Sequence, residues 1–195
     1  MPIRNLDKIF HPRRIAVVGA SQRPLSVGQI VCQNLLAGGF EGEVYPVNPK
    51  YDRLGDRLCF ASVADLPESV DLAVICTPAQ TVLEIIQQCG DAGIRGVVIL
   101  SAGFRESGVE GRALEQQVLT IARKFSGMRI VGPNCLGVMS PHAKLNASFA
   151  SDMPLAGNIA FISQSGAICT AVLDWSLQEK IGFSHFVSVG NMLDV

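Results

Sequence analysis

Five short apolar runs, each ending in small or turn-forming residues, constrain this chain more than any other feature. They cover residues 14–18, 43–47, 72–76, 96–100 and 128–131. Most are rich in Val and Ile and lack polar alternation, as expected of strands covered on both faces. Helical patterns at 27–37, 79–92 and 110–125 separate them. Strands alternating with helices imply a parallel, doubly wound α/β sheet of Rossmann-like type. A shorter strand is expected near 58–61, and Leu6, Ile9 and Phe10 mark a short helix ahead of the first strand. With 48% hydrophobic and 17% charged residues, the chain can bury a substantial core.

The clusters after the strands read GAS at 19–21, NPK at 48–50, TPA at 77–79, SAGF at 101–104 and GPNCLG at 132–137. Turns favour such residues for conformational reasons alone. In a doubly wound sheet, however, all five fall on one rim, and ligands bind beyond the carboxyl ends of the strands. In the first cluster, Gly19 would let a ligand approach the backbone and Ser21 would supply a hydroxyl. The helix starting near Val27 and Gly28 would turn its free amides and positive dipole end toward an anion. Gly28 comes nine positions after Gly19, more than the dinucleotide fingerprint allows.

The second strand discriminates further. A NAD site usually places a carboxylate at this strand's end, against the ribose hydroxyls. Here the sequence is Asn48-Pro49-Lys50, with a cation and no carboxylate. Lys50 can pair with a ribose phosphate, which favours NADP or coenzyme A over NAD. Arg23 and Arg53 are weaker candidates for the same anion.

Residues 141–156 are polar, with little periodicity, and are expected to link a domain at 1–140 to a second α/β unit at 157–195. That unit opens with a strand, an SQSG turn at 163–166 and a helix, and a further strand is expected at 183–189. It is short for an independent domain, so the chain is expected to continue past Val195. The six cysteines form no C-x-x-C pair, and the three histidines lie far apart in sequence, so no metal site is expected. A formal net charge of −1 gives no sign of nucleic acid or an anionic membrane as partner, and no apolar run reaches membrane-spanning length. Reduced cysteines and the lack of a signal-like apolar stretch point to the cytoplasm.

Collinear stretches of the chain resemble the CoA-binding region of the NDP-forming acyl-CoA synthetase superfamily. They are IAVVGAS, YPVNPK, DLAVICTPA, VVILSAGF, VGPNCLG, LNASFA and GNIAFISQSGA. The superfamily includes succinyl-CoA synthetase alpha subunits, ADP-forming acetate–CoA ligases and synthetase-like bacterial lysine acetyltransferases. The resemblance implies a Rossmann-like domain followed by the start of a flavodoxin-like domain, with coenzyme A or acetyl-CoA as ligand. Gly19, Ala20, Ser21, Val27 and Gly28 would wrap the CoA phosphates, and Asn48, Pro49 and Lys50 would meet the 3′-phosphate end. Thr77, Pro78, Ser101, Ala102 and Gly103 would flank the pantetheine arm, with Asn134 and Cys135 near the thioester. Ser163, Gln164, Ser165 and Gly166 would hold the phosphate of a phosphohistidine whose motif this chain does not contain. ATP or ADP and Mg would belong to the remainder of such an enzyme, and further domains or a homo-oligomer would complete it. Cys135 has no His beside it in sequence and is read as packing or thioester-proximal, not as a nucleophile. An NADP-binding module, or a standalone CoA-binding regulator, is the alternative.

Overall fold

A computed structural model describes residues 4–194. Residues 1–3 and 195, which fall within the expected domain bounds 1–140 and 157–195, lie outside the described residues.

The chain opens with the short helix α1 (Asp7–Phe10), followed by β1 (Arg14–Val18), α2 (Val27–Ala37) and β2 (Glu43–Val47). A hairpin of two-residue strands, β3 (Arg53–Leu54) and β4 (Arg57–Leu58), follows; within the short strand expected near 58–61, Leu58 ends β4 and Phe60 forms an isolated parallel bridge with Val47. Then come β5 (Leu72–Ile75), α3 (Ala79–Asp91), β6 (Gly96–Ile99), α4 (Val109–Ala122) and β7 (Arg129–Val131). Strands β2-β1-β5-β6-β7 form one parallel sheet in that order. The order reverses at β1, which has β2 on one side and β5 on the other. The crevice of a doubly wound fold therefore opens beyond the carboxyl ends of β1 and β5.

Side-chain alternation divides the sheet between two cores. Ala16, Val18, Ala73, Ile75, Val97 and Ile99 pack with α3 and α4. Ile15, Val17, Leu72, Val74 and Val98 face the other way, toward α1 and α2. Near-total burial of both faces explains why these strands read as unbroken aliphatic runs. Helix α1 is fastened by Lys8, whose ammonium lies 2.7 Å from an Asp71 carboxylate oxygen. The other Asp71 oxygen accepts from the backbone amides of Arg13 (2.9 Å) and Arg14 (3.2 Å).

The stretch expected to be a linker is instead structured. Strand β8 (Gly137–Ser140), a 3-10 turn at Pro141–Ala143 and β9 (Leu145–Ser148) form an antiparallel hairpin whose two strands are buried throughout. It joins β10 (Leu155–Ser163) and β11 (Gly182–Ser188) in a mixed sheet of order β10-β11-β8-β9. Helix α5 (Gly166–Gln178) packs on that sheet through Cys169 and Leu173, against Met139, Phe183 and Phe186. The hairpin serves both halves, because Val138, Leu145 and Ala147 pack in the core beneath β1 and β5. The histidines also gather at this junction. The rings of His11 and His185 are 5.9 Å apart, and both His11 and His142 act electrostatically on His185. Among the described residues no group of side chains is arranged to hold a metal ion.

Candidate functional site

The first turn is shaped by two glycines, each for a reason of packing. Gly19 sits at φ +89°, and a Cβ there would come within 2.8 Å of the Thr77 methyl. A Cβ there would thus collide with the β5–α3 turn, which gives this glycine a packing reason that the sequence does not show. A Cβ on Gly28 would lie 2.0 Å from the Gly19 carbonyl oxygen, so this glycine lets the start of α2 press against the turn. Ser26 stands at the N-cap of α2 but does not cap it. Its hydroxyl donates to the Arg23 carbonyl (2.7 Å), which leaves the first-turn amides of α2 without a side-chain acceptor from that residue. Such a helix end favours an anion.

Asn48 connects this turn to the end of β2. Its side-chain amide donates to the Ala20 carbonyl (2.7 Å), and its side-chain oxygen accepts from the Lys50 amide (3.0 Å). Both ends of Asn48 are therefore spent on positioning, and the structure brings the 19–21 and 48–50 clusters together. Pro49 and Lys50 are exposed, while Ala20 is buried. Ser21 Oγ accepts from the Arg23 amide (3.0 Å).

Farther along the rim lies a cleft of about 510 Å³. Val27, Ser101, Ala102, Asn134 and Cys135 line it from the first domain, and Gln164, Ser165 and Gly166 face them from the start of α5. The cleft thus joins residues that the sequence places in two separate units. Its wall does not include Gly19, Ala20, Ser21, Gly28, Asn48, Pro49 or Lys50, nor Thr77, Pro78, Gly103 or Ser163. Thr77 supports it from behind, since its carbonyl accepts from the Ser101 hydroxyl (2.5 Å). The Gly103 amide is also committed within the chain, to a Glu106 carboxylate oxygen at 2.6 Å. Ser163 Oγ accepts from the Ser165 amide (3.1 Å), and Ser165 caps α5 by accepting from Ile168 N (3.3 Å).

Sequence reasoning missed four apolar lining residues: Cys76, Leu100, Leu136 and Phe149. Phe149 falls in the LNASFA stretch, whose lone aromatic among small residues was the available signal. Cys135 is buried, its thiol sits 3.3 Å from the Ile99 carbonyl, and burial pushes its pKa up to about 12. At neutral pH it is a thiol, which is poorly nucleophilic.

The loops of the cleft are held by the end of the chain. Asn191 and Leu193 donate backbone amides to the carbonyls of Pro133 and Gly132, each at 2.9 Å. The Asn191 side chain donates to Glu106 (2.7 Å) and to Glu115 (2.8 Å).

A family model described as a CoA binding domain matches residues 13–141. The chain belongs to the CoA-binding domain family. A second model, the succinyl-CoA ligase like flavodoxin domain, matches residues 156–195. The acetate–CoA ligase [ADP-forming] I subunit alpha of Pyrococcus furiosus is 45% identical over 98% of this chain, which spans 42% of that protein. The 4-hydroxybutyrate–CoA ligase [ADP-forming] of Nitrosopumilus maritimus is 45% identical over 94% of the chain and 26% of its own length. The chain thus spans less than half the length of these relatives. Among solved structures, the dinucleotide forming acetyl-coenzyme A synthetase 1 of Ca. Korarchaeum cryptofilum, in complex with phosphate and ADP, matches with a TM-score of 0.92. It is 44% identical, over 97% of this chain and 40% of that one.

Proposed function

We propose that this chain binds CoA or acyl-CoA along the carboxyl rim of its parallel sheet, as the CoA-binding part of an ADP-forming acyl-CoA synthetase. The observation that carries the reading is the cleft shared between the rim loops and the start of α5. The phosphate-bearing adenosine end would lie over the turn at 19–28 and the Asn48–Lys50 corner, where an uncapped helix start and an exposed lysine offer positive potential. From β2 to β7 the rim spans four interstrand spacings, about 19 Å. A ligand laid along it would bring its thioester into the cleft, beside Ser101, Asn134 and Cys135.

The chain's own contribution is positioning and electrostatics. Gln164, Ser165 and Gly166 at the start of α5 line the cleft, and a helix N-terminus there suits the phosphate that accepts the acyl group as the C–S bond breaks and CoA leaves as the thiolate. Cys135 keeps its proton and forms no acyl-enzyme. The ligase reading is favoured over a lysine acetyltransferase because the relatives from Pyrococcus furiosus and Nitrosopumilus maritimus are named as CoA ligases. A second subunit or domain would supply the nucleotide chemistry, as the name of the alpha-subunit relative suggests.

Calorimetric titration with CoA, dephospho-CoA and NADPH tests this. CoA is expected to bind best. Lys50→Ala should cost about 1–3 kcal/mol with CoA and much less with dephospho-CoA. A preference for NADPH, or equal losses for both CoA forms, would count against the assignment.

A further inference from the structure

Phe149 follows β9 and presents a half-buried ring to the cleft. Its backbone is held on both sides by one residue of another element. The Asn34 side-chain amide, from α2, donates to the carbonyls of Ser148 and Ala150, each at 2.9 Å. The Phe149 amide donates to the Leu136 carbonyl (3.2 Å), and the Ala150 amide donates to Ser148 Oγ (3.2 Å). The ring packs against both the core beneath the parallel sheet and the core of the mixed sheet. It is therefore a wall with a fixed base where the two halves meet, and its backbone cannot shift without breaking the Asn34 clamp.

We propose that Phe149 sets the size of the acyl group that a bound acyl-CoA can carry, and that Asn34 is the residue that positions it. The inference rests on the CoA reading above. With the adenosine end over β1 and β2 and the thioester near Asn134 and Cys135, the acyl group lies in the same cleft. Leu136 and Phe149 line that cleft together with Asn134 and Cys135. A small acyl group fits in front of the ring, whereas an aryl-bearing one meets it. Discrimination by excluded volume works only if the wall is rigid, which is the part Asn34 plays. Size differences read by an apolar pocket are commonly worth tenfold or more.

The test is the ratio of affinities for acetyl-CoA and phenylacetyl-CoA, measured by calorimetry with free CoA alongside. The unchanged chain is expected to favour acetyl-CoA by about tenfold or more. Phe149→Ala and the milder Phe149→Leu should bring the ratio toward one, and Phe149→Trp should raise it. Asn34→Ala should relax the ratio as Phe149→Leu does. Free CoA, which has no acyl group to meet the ring, should change in affinity far less than the acetyl-CoA to phenylacetyl-CoA ratio does. If the ratio stays the same in every variant while CoA still binds, the acyl-wall role is overturned and the CoA reading stands. If affinity for all three ligands falls together, the residues are merely structural and the inference also fails. If the unchanged chain does not bind CoA, both readings fall.

Discussion

Gly19 carries a packing reason that its place in the sequence does not reveal. A glycine after the first strand was legible because an apolar run ends there in GAS. What the glycine makes room for was not legible, because Thr77 lies on another strand's turn and only the fold brings the two together. Substitution at Gly19 should therefore act first on stability. Gly19→Ala forces an L side chain into positive φ and against the Thr77 methyl, at a cost of about 1–3 kcal/mol. Urea unfolding should show this loss in the absence of any ligand. Lost CoA affinity at unchanged stability would instead put the ligand, and not Thr77, in the space beside Gly19. Cys135 belongs to the same scale. Its lack of a sequence-adjacent base was readable, but the burial that fixes it as a thiol required the fold.

At the scale of elements, the strands of the parallel sheet were legible to within a residue or two, because both of their faces are buried and no polar position interrupts them. The β8–β9 hairpin was not legible. It buries Ser140, Asn146 and Ser148, residues that read as loop. Two of them satisfy each other, with Ser148 Oγ donating to Asn146 Oδ1 at 2.6 Å. Pairing of this kind removes the usual cost of burying polar groups, and composition cannot reveal it. The loop after β6 illustrates a similar hidden tie. Burial would raise the Glu106 pKa, but hydrogen bonds from the Asn191 side chain and the amides of Gly103 and Phe104 outweigh it and hold the carboxyl below its usual 4.5. A folded-state pKa below the unfolded value stabilises above pH 4.5, and the contribution disappears as pH falls through the folded value. Glu106→Gln should therefore lower the urea midpoint at pH 7 and flatten its decline below pH 4.5. A variant that declines as steeply in acid as the unchanged chain would show that the carboxylate does not carry this linkage.

Across the whole molecule, the mixed sheet and the parallel sheet share a core. Val138, Leu145, Ala147 and Val187 come from the mixed sheet, yet they pack with Ile15, Val17, Leu72 and Val74 of the parallel one. The end of the chain adds polar ties across the same boundary, from Asn191 to Glu106 and Glu115 and from Asp194 to Arg129 (2.6 Å). Two motif-bearing segments separated by an apparent linker thus became one folded unit, and the cleft exists because they did. If the shared core couples them, calorimetric melting should give a single transition with equal calorimetric and van't Hoff enthalpies. Leu145→Ala, which empties a fully buried position in the shared core, should cost about 2–5 kcal/mol. In a chain of this length that lowers the single melting temperature by roughly 4–20 °C. Two resolved transitions, with Leu145→Ala moving only one of them, would show that the halves unfold independently and that the cleft between them is free to open.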